Sequence, residues 1–197
     1  QLKLDNSFDP SSIDAQLYLA SFCDNLLSTD FASKTDVNYN CSINNFDIWL
    51  QEQANSTSPT DIYLDKCNGT AGLPVPEAIF NPCFSTWAMA FGDTTVLSRN
   101  GIVEIMYFEF QCRVRYDSPY DTLDKEWHLI ESWMSNERAI APSGVNALFH
   151  SSEDFWWYDT NGQMLYTAYG SAAIAVGAAA FVVLFSSRSI MLTLFAL

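Results

Sequence analysis

The spacing of hydrophobic residues divides this chain into helical, alternating and continuously apolar stretches. From Ser11 to Leu27, apolar residues recur every three or four positions after Asp9-Pro10, which predicts a helix. Pro76 to Ala90 and Asp121 to Ile140 predict two more helices, the first with its proline in the first turn. Gly101 to Tyr116 alternates and is rich in β-branched and aromatic residues, which predicts a strand.

Polar, turn-rich segments separate these elements. Residues 30–75 are predicted to form a loop insertion with one short helix around Phe46 to Gln53, and Gly92 to Asn100 a turn-rich connection. A turn at Pro142-Ser143-Gly144 leads into a second predicted strand, Val145 to His150. The order strand, helix, strand predicts an α+β fold of the split-βαβ type.

The C-terminal part of the chain is continuously apolar. Met164 to Phe185 is a run of 22 residues without a charge. A helix of that length spans about 33 Å and crosses a hydrocarbon core of about 30 Å, and its missing polar face argues against a buried helix of a soluble protein. We predict a transmembrane helix at 164–185, a cytosolic turn at 186–188 and the start of a second, truncated transmembrane helix at 189–197. We therefore expect the chain to be a segment of a longer protein.

The flanks of the apolar helix predict its orientation. Arg188 lies in the short turn that follows it, and the positive-inside rule places such a turn in the cytosol. Residues 1–163 then form an extracellular or lumenal domain. Aromatic residues cluster where the chain would enter the outer leaflet, as in an interfacial belt. They are Trp156, Trp157, Tyr158, Tyr166 and Tyr169.

Small residues fill the predicted span. Ser171, Ala175 and Ala179 follow one another at i, i+4 spacing, and Ala173 and Gly177 share that spacing. Small side chains at this spacing let helix backbones approach closely in lipid. We predict that this helix packs against other spans.

Three sequons fall in the polar insertion, at Asn40, Asn55 and Asn68, and each fits the pattern Asn-X-Ser/Thr for N-glycosylation. Five cysteines lie in the same acidic part of the chain. Together they predict a lumenal or extracellular glycoprotein domain, in agreement with the orientation derived from Arg188.

The cysteines form no CxxC pair and lie far from both histidines in sequence, so we predict disulfides and no metal site. The sequence does not fix the pairing. The working prediction joins Cys41 to Cys67 across the insertion and Cys23 to Cys83 between the flanking helices. Cys112 is then left as a buried thiol in a strand.

The charge of the chain argues against one class of partner, the nucleic acids. The part before the apolar helix holds all 23 acidic side chains and eight of the nine basic ones, so it repels phosphate and is not expected to bind nucleic acid.

Glu104 and Glu109 lie on opposite faces of the predicted strand, and Ser143 lacks a nucleophile-elbow pattern. We predict no catalytic, cofactor-binding or metal-binding residues and no enzyme activity. An outer-face hydrolase using Glu153 or Asp154 is the weakest alternative.

Short motifs spread over the chain carry a family resemblance. They are Phe22-Cys23 with Leu26-Leu27, Pro74-Val75-Pro76 and Ile79-Phe80 between Cys67 and Cys83, Gly101 to Phe110, Glu131 to Met134, Ala141 to Phe149, and the hairpin Phe181 to Leu197. In this order the motifs resemble the second half of resistance–nodulation–division (RND) membrane proteins, in the group of Patched, Dispatched and the Niemann–Pick type C sterol transporter. The similarity is closest to the Dispatched-like members.

The resemblance implies a multi-pass protein of about twelve spans with two large outer domains. Residues 1–163 would be the second outer domain, a ferredoxin-like, porter-type split-βαβ domain with the cysteine-containing insertion. Members move sterols, lipids or lipid-modified proteins across or out of the membrane, and this domain would handle substrate on the outer face. The implied partners are those cargoes, membrane lipids, and the remaining spans and first outer domain of the same chain; no cofactor is implied. The alternative is a cell-surface recognition or adhesion glycoprotein whose spans are only anchors.

Overall fold

The computed structural model of the chain describes residues 8–33, 40–115, 117–152, 155 and 157–187, without the side chains of Asp61, Leu64 and Ser187. These residues form two compact units. The first unit extends to Val114 and includes His128–His150. The second comprises Arg115–Trp127 and the residues from Ser151 onward.

The described residues contain six helices and one two-stranded sheet. In chain order these are α1 Ile13–Ser28, α2 Ser42–Asn55, α3 Asp61–Lys66, α4 Glu77–Phe91, β1 Val96–Arg99, β2 Ile102–Met106, α5 Tyr120–Ile140 and α6 Tyr158–Ser187. The helices predicted at α1, α4 and α5 are confirmed to within two residues at each end. The short helix predicted in the insertion is longer at both ends, and α3 was not predicted.

Local sequence signals explain where the helices begin and end. Ser12 caps α1, because its hydroxyl accepts the backbone N–H of Ala15 at 3.2 Å. Gly92 ends α4 in the left-handed conformation with φ 65°, and the next N–H, that of Asp93, donates to the Ala88 carbonyl at 2.8 Å. Only glycine adopts that φ without a Cβ penalty.

Aromatic side chains of α2 and α4 form the centre of the first unit. Phe46 contacts Phe80, Phe84 and Trp87, with ring centroids 4.9 to 6.3 Å apart. All four side chains are buried. Burial of such a ring contributes about 1.5–3 kcal/mol, so this cluster is a large source of hydrophobic stabilisation in the unit.

A buried glutamine joins α1 to the segment before α4. The Gln16 amide is fully buried; it donates to the carbonyls of Ser11 at 2.7 Å and Val75 at 2.8 Å, and accepts the Val75 N–H at 2.7 Å. The Gln16 side chain therefore satisfies both the N–H and the carbonyl of Val75, as a neighbouring strand would do. The Val75 side chain is also fully buried.

The strand predicted at Gly101 to Tyr116 is shorter in the structure. Of its described residues, β2 forms the strand: it pairs antiparallel with β1, Val96 lies opposite Met106, and the register shifts between Leu97 and Ser98. Tyr116 lies outside the described residues. The Asn100-Gly101 turn joins them with φ 54° and 76°, the geometry of a type I′ hairpin. Among the residues that the structure describes, the chain after β2 makes single bridges, between Glu109 and Asn40 and between Cys112 and Ala32. The connection predicted between α4 and β2 therefore contains a strand, β1.

The second predicted strand, Val145 to His150, is not a strand in the structure. Side chains and turns occupy its backbone groups instead. The Leu148 carbonyl accepts the Arg138 guanidinium at 2.7 Å, and the Gly144 carbonyl before it accepts the Asp9 N–H at 2.8 Å. The mixture of helices and a small sheet agrees with the α+β class. The split-βαβ arrangement is not confirmed by the described residues.

Candidate membrane interface

From Met164 to Phe185, helix α6 carries no charge and is apolar on all sides. Within it, Tyr158–Ser186 is long and apolar enough to cross a membrane. Every residue from Met164 to Phe185 is exposed or half-exposed, including large side chains such as Ile174 and Phe185, which are 75% and 72% exposed. Such a helix lacks the polar face that a surface helix of a soluble protein presents to water. Its length and composition fit a membrane span.

The small residues predicted to pack against other spans are all exposed on α6. They are Ser171, Ala173, Ala175, Gly177 and Ala179. The Ser171 hydroxyl donates to the Ala168 carbonyl at 3.0 Å, so its polar group is satisfied within the helix. Their role in helix packing stays a prediction.

An aromatic cluster holds the beginning of α6, and we call it the aromatic base: Tyr120, Trp127, Phe155 and Tyr158. The Tyr158 ring stacks on that of Tyr120, with centroids 5.4 Å apart and planes 9° apart, and on Trp127 at 5.5 Å. Phe155 meets Trp127 edge-on at 5.3 Å. Contacts of this kind contribute about 0.5–1.5 kcal/mol each beyond the area they bury.

The predicted interfacial belt divides into two kinds of residue. Tyr158 belongs to the aromatic base, whereas Tyr166 and Tyr169 are 77% and 74% exposed on α6 and Trp157 is 49% exposed before it. Trp156 lies outside the described residues, as does Arg188, whose cytosolic position is therefore a prediction.

The four cysteines predicted to form disulfides are bonded, but the predicted pairing is wrong. Cys23 in α1 is bonded to Cys41, the N-cap of α2, and Cys67 at the end of α3 is bonded to Cys83 in α4. Each disulfide closes a short loop between consecutive helices. Cys112 lies at the bridge to Ala32 and is half-buried, not buried in a strand. The two disulfides fit an extracellular or lumenal segment.

The three sequons differ in exposure. Asn55 ends α2 and is exposed, and its amide donates to the Gln51 carbonyl at 2.8 Å. Asn68 follows α3, is exposed and has φ 49°. Asn40 is half-buried, and its backbone pairs with Glu109 in both directions. None of these observations tests glycosylation itself.

Two of the residues considered for catalysis, Glu104 and Glu109, have structural partners. Glu104 forms an ion pair with Arg99 at 3.6 Å, and the Glu109 backbone pairs with Asn40. Ser143 lies in an exposed turn. Within the described residues, no group of three His, Cys, Asp or Glu side chains is placed to hold a metal ion. Glu153 and Asp154 lie outside the described residues.

Two groups in the first unit have shifted pKa values. Burial raises the pKa of the Tyr18 hydroxyl. The Glu137 carboxylate raises this pKa further, because it accepts a hydrogen bond from the hydroxyl with 3.0 Å between the oxygen atoms. Burial lowers the pKa of His150; Glu131, 3.2 Å away, opposes this shift, and Arg138 adds to it. Tyr18 therefore stays neutral, and His150 resists protonation in the folded protein.

The chain is similar over its whole length to two curated proteins. It is 25% identical over 211 residues to "Protein dispatched homolog 1" of Homo sapiens and 23% identical over 211 residues to that of Mus musculus. All of this chain is aligned, but it spans only 14% of the length of each relative. No protein-family model matches the chain. The similarity indicates a distant relationship to Dispatched-like RND proteins.

Most of the aromatic base is not predicted by the sequence. Tyr158 is predicted in the interfacial belt, and no pattern assigns Tyr120, Trp127 or Phe155 to the same site. The available signal was the presence of large aromatic residues at the start of two successive predicted helices. Periodicity within one helix does not show that the two starts meet.

Proposed function

We propose that this chain is the second outer domain and the following membrane span of a Dispatched-like multi-pass protein of the RND type. The observation that carries the proposal is the alignment of the entire chain with dispatched homolog 1. The alignment includes both the predicted outer domain, residues 1–163, which we call the lobe, and the apolar helix. An adhesion glycoprotein with unrelated anchors would not be expected to align through both parts.

The physical character of each part supports this assignment. Eight strongly apolar residues of α6 contribute roughly −0.5 kcal/mol each to insertion, or roughly −4 kcal/mol together. They are Leu165, Ile174, Val176, Phe181, Val182, Val183, Leu184 and Phe185. The lobe before α6 carries two disulfides, which persist in oxidising compartments. We infer that the lobe is extracellular or lumenal, with a porter-type split-βαβ arrangement completed in the full protein.

In this proposal the whole protein moves sterols, lipids or lipid-modified proteins out of the membrane, and the lobe handles the cargo on the outer face. The lobe is assigned no catalytic residue and no cofactor. Residues 1–163 form the outer domain, 164–185 the span, 186–188 the cytosolic turn and 189–197 the start of the next span. The small residues of α6 face the other spans of the same chain.

Cargo release by the complete open reading frame tests the proposal. Cells expressing it are loaded with labelled sterol and with a secreted reporter carrying a covalent sterol, and both are followed into the medium. We expect these cells to release more of the labelled sterol and of the reporter than untransfected cells do. This additional release should disappear when an ionophore collapses the ion gradient. The matched control is a protein in which residues 8–152 are replaced by an unrelated disulfide-bonded domain. Equal release by this control, or cell aggregation without release, contradicts the proposal.

A further inference from the structure

The sequon at Asn40 is built into the folded first unit, unlike the other two sequons. Cys41 is 2% exposed and bonded to Cys23, and Ser42 is 1% exposed as the first residue of α2. At Asn55 all three sequon residues are exposed. At Asn68 the first two are exposed and Thr70 is half-buried.

The Ser42 hydroxyl is committed to a buried hydrogen-bond chain. The Thr95 hydroxyl donates to the Asp93 carboxylate at 2.7 Å, and a carboxylate only accepts. The hydroxyl hydrogen of Thr95 is used in this bond, so the Ser42 hydroxyl must be the donor in its hydrogen bond to the Thr95 oxygen. Thr95 is fully buried. A glycosyltransferase that reads an Asn-X-Ser sequon must reach this same hydroxyl.

The backbone of Asn40 is also occupied. Its N–H donates to the Glu109 carbonyl at 3.1 Å, and its carbonyl accepts the Glu109 N–H at 3.2 Å. Its side-chain oxygen accepts the Asn45 amide at 3.1 Å. Folding thus fixes the backbone and the side-chain oxygen of Asn40 and buries the middle cysteine and the recognised serine of the sequon.

We propose that glycans are attached at Asn55 and Asn68 but not at Asn40, because formation of the Cys23–Cys41 disulfide competes with modification of Asn40. Cys23 precedes the sequon, so it is already in the lumen when Asn40 arrives there. The disulfide closes a loop of only 18 residues, and closing so short a loop carries a small entropic cost. This inference rests on the lumenal placement of the lobe and departs from the sequence prediction of three glycans.

Site-resolved glycan mapping tests the proposal. The complete protein is expressed in mammalian cells, digested with chymotrypsin to separate Asn40 from Asn55, and deglycosylated enzymatically in ¹⁸O water, which marks each modified asparagine. In the wild type we expect label at Asn55 and Asn68 and little at Asn40. Cys23→Ser frees Cys41 and should raise the label at Asn40 several-fold. The readout is made on attached sugars, so it does not require the variant to fold.

Cys83→Ser is the matched control, because it breaks the other disulfide and leaves Cys23–Cys41 intact. Asn40 should stay unmodified in this variant. Label at Asn40 in the wild type equal to that at Asn55, or equal label in the Cys23→Ser and Cys83→Ser variants, overturns the inference but leaves the lumenal placement standing. Absence of label at all three sites overturns both.

Discussion

The Tyr158 hydroxyl donates a hydrogen bond to the Asp124 carboxylate, with 2.5 Å between the oxygen atoms. The same carboxylate oxygen lies 3.5 Å from the Tyr120 hydroxyl. Because Tyr120 and Tyr158 also stack on each other, one acidic side chain satisfies two neighbouring phenols at the start of α6. The bond joins the first turns of α5 to the beginning of the predicted membrane helix.

This bond should stabilise the start of α5. Asp124→Leu leaves the half-buried Tyr158 hydroxyl without its charged acceptor, and loss of such a bond costs about 1.5–3 kcal/mol. We expect faster hydrogen exchange in peptides covering residues 120–127 of the solubilised protein, whereas Asp124→Asn, which keeps an acceptor oxygen, should change exchange less. In a Tyr158→Phe background Asp124→Leu should have a smaller effect. Equal effects in both backgrounds would show that the bond is unimportant.

Sequence periodicity predicted the bounds of the helices well but defined their buried faces less well. Of the predicted apolar positions in α1, Phe22 and Leu26 are buried, whereas Ile13 and Leu17 are 47% and 48% exposed. The local cap Ser12 fixes the start of the helix. The hairpin was missed for a different reason. The Asn100-Gly101 pair is a strong local turn signal, and it was read as the end of a loop instead of a two-residue connection between strands.

Strand pairings and disulfides between residues far apart in the sequence could not be predicted from local sequence patterns. Alternation from residue 101 onward predicted one long strand, but a strand needs a partner. Beyond Met106 the described part of the chain forms single bridges instead of a ladder. The disulfide pairing failed similarly, since Cys41 starts a helix close to α1 and not a loop that closes on Cys67. Such contacts depend on how helices pack, which spacing along one chain does not specify.

The disulfide connectivity can be checked directly. Non-reducing peptide mapping should recover Cys23 with Cys41 and Cys67 with Cys83. In the chain-entropy description a loop of 16 residues, as between Cys67 and Cys83, stabilises by about 3 kcal/mol. Cys67→Ser together with Cys83→Ser should therefore lower the unfolding temperature of the solubilised protein. A peptide joining Cys41 to Cys67 would contradict the structure.

The buried amide of Gln16 should protect the Val75 backbone. Gln16→Leu fills similar space but leaves the Val75 N–H and carbonyl without partners, at about 1–3 kcal/mol for each unsatisfied group. We expect the Val75 amide to lose protection in hydrogen exchange, while Gln16→Glu, which keeps the acceptor for that N–H, preserves part of it. The control is Gln163→Leu, at an exposed position of α6 in the second unit, which should leave Val75 unchanged. Unaltered protection in Gln16→Leu would refute the role assigned to Gln16.

His150 should make the first unit less stable in mild acid. Its pKa is lowered in the folded state by burial, so below the unfolded-state value of about 6.5 the unfolded chain binds a proton that the folded chain does not. Stability is therefore complete above that pH and falls as the pH drops toward the folded-state pKa. Glu131 and Arg138 face the ring and act in opposite directions.

The measurement is the unfolding temperature between pH 7.5 and 5.5. His150→Gln should flatten the decline in that window, because the replacement does not titrate. His128→Gln is the matched control, since His128 is exposed on α5 and its replacement should leave the decline as in the wild type. If the two variants behave alike, the pH dependence arises from other groups.

A single charge should nearly cancel the membrane insertion of α6. The apolar side chains supply roughly −4 kcal/mol, and an arginine at the helix centre opposes insertion by about 2.5–3.5 kcal/mol. Ala175→Arg should therefore shift residues 158–187 from full toward partial insertion in a host protein that carries glycosylation sites on both sides of the segment. Ala175→Leu should insert fully, and Thr160→Arg, near the helix start where the side chain reaches the interface, should insert almost as well. Equal insertion of the Ala175→Arg and Thr160→Arg segments would mean that Ala175 does not lie near the middle of a span.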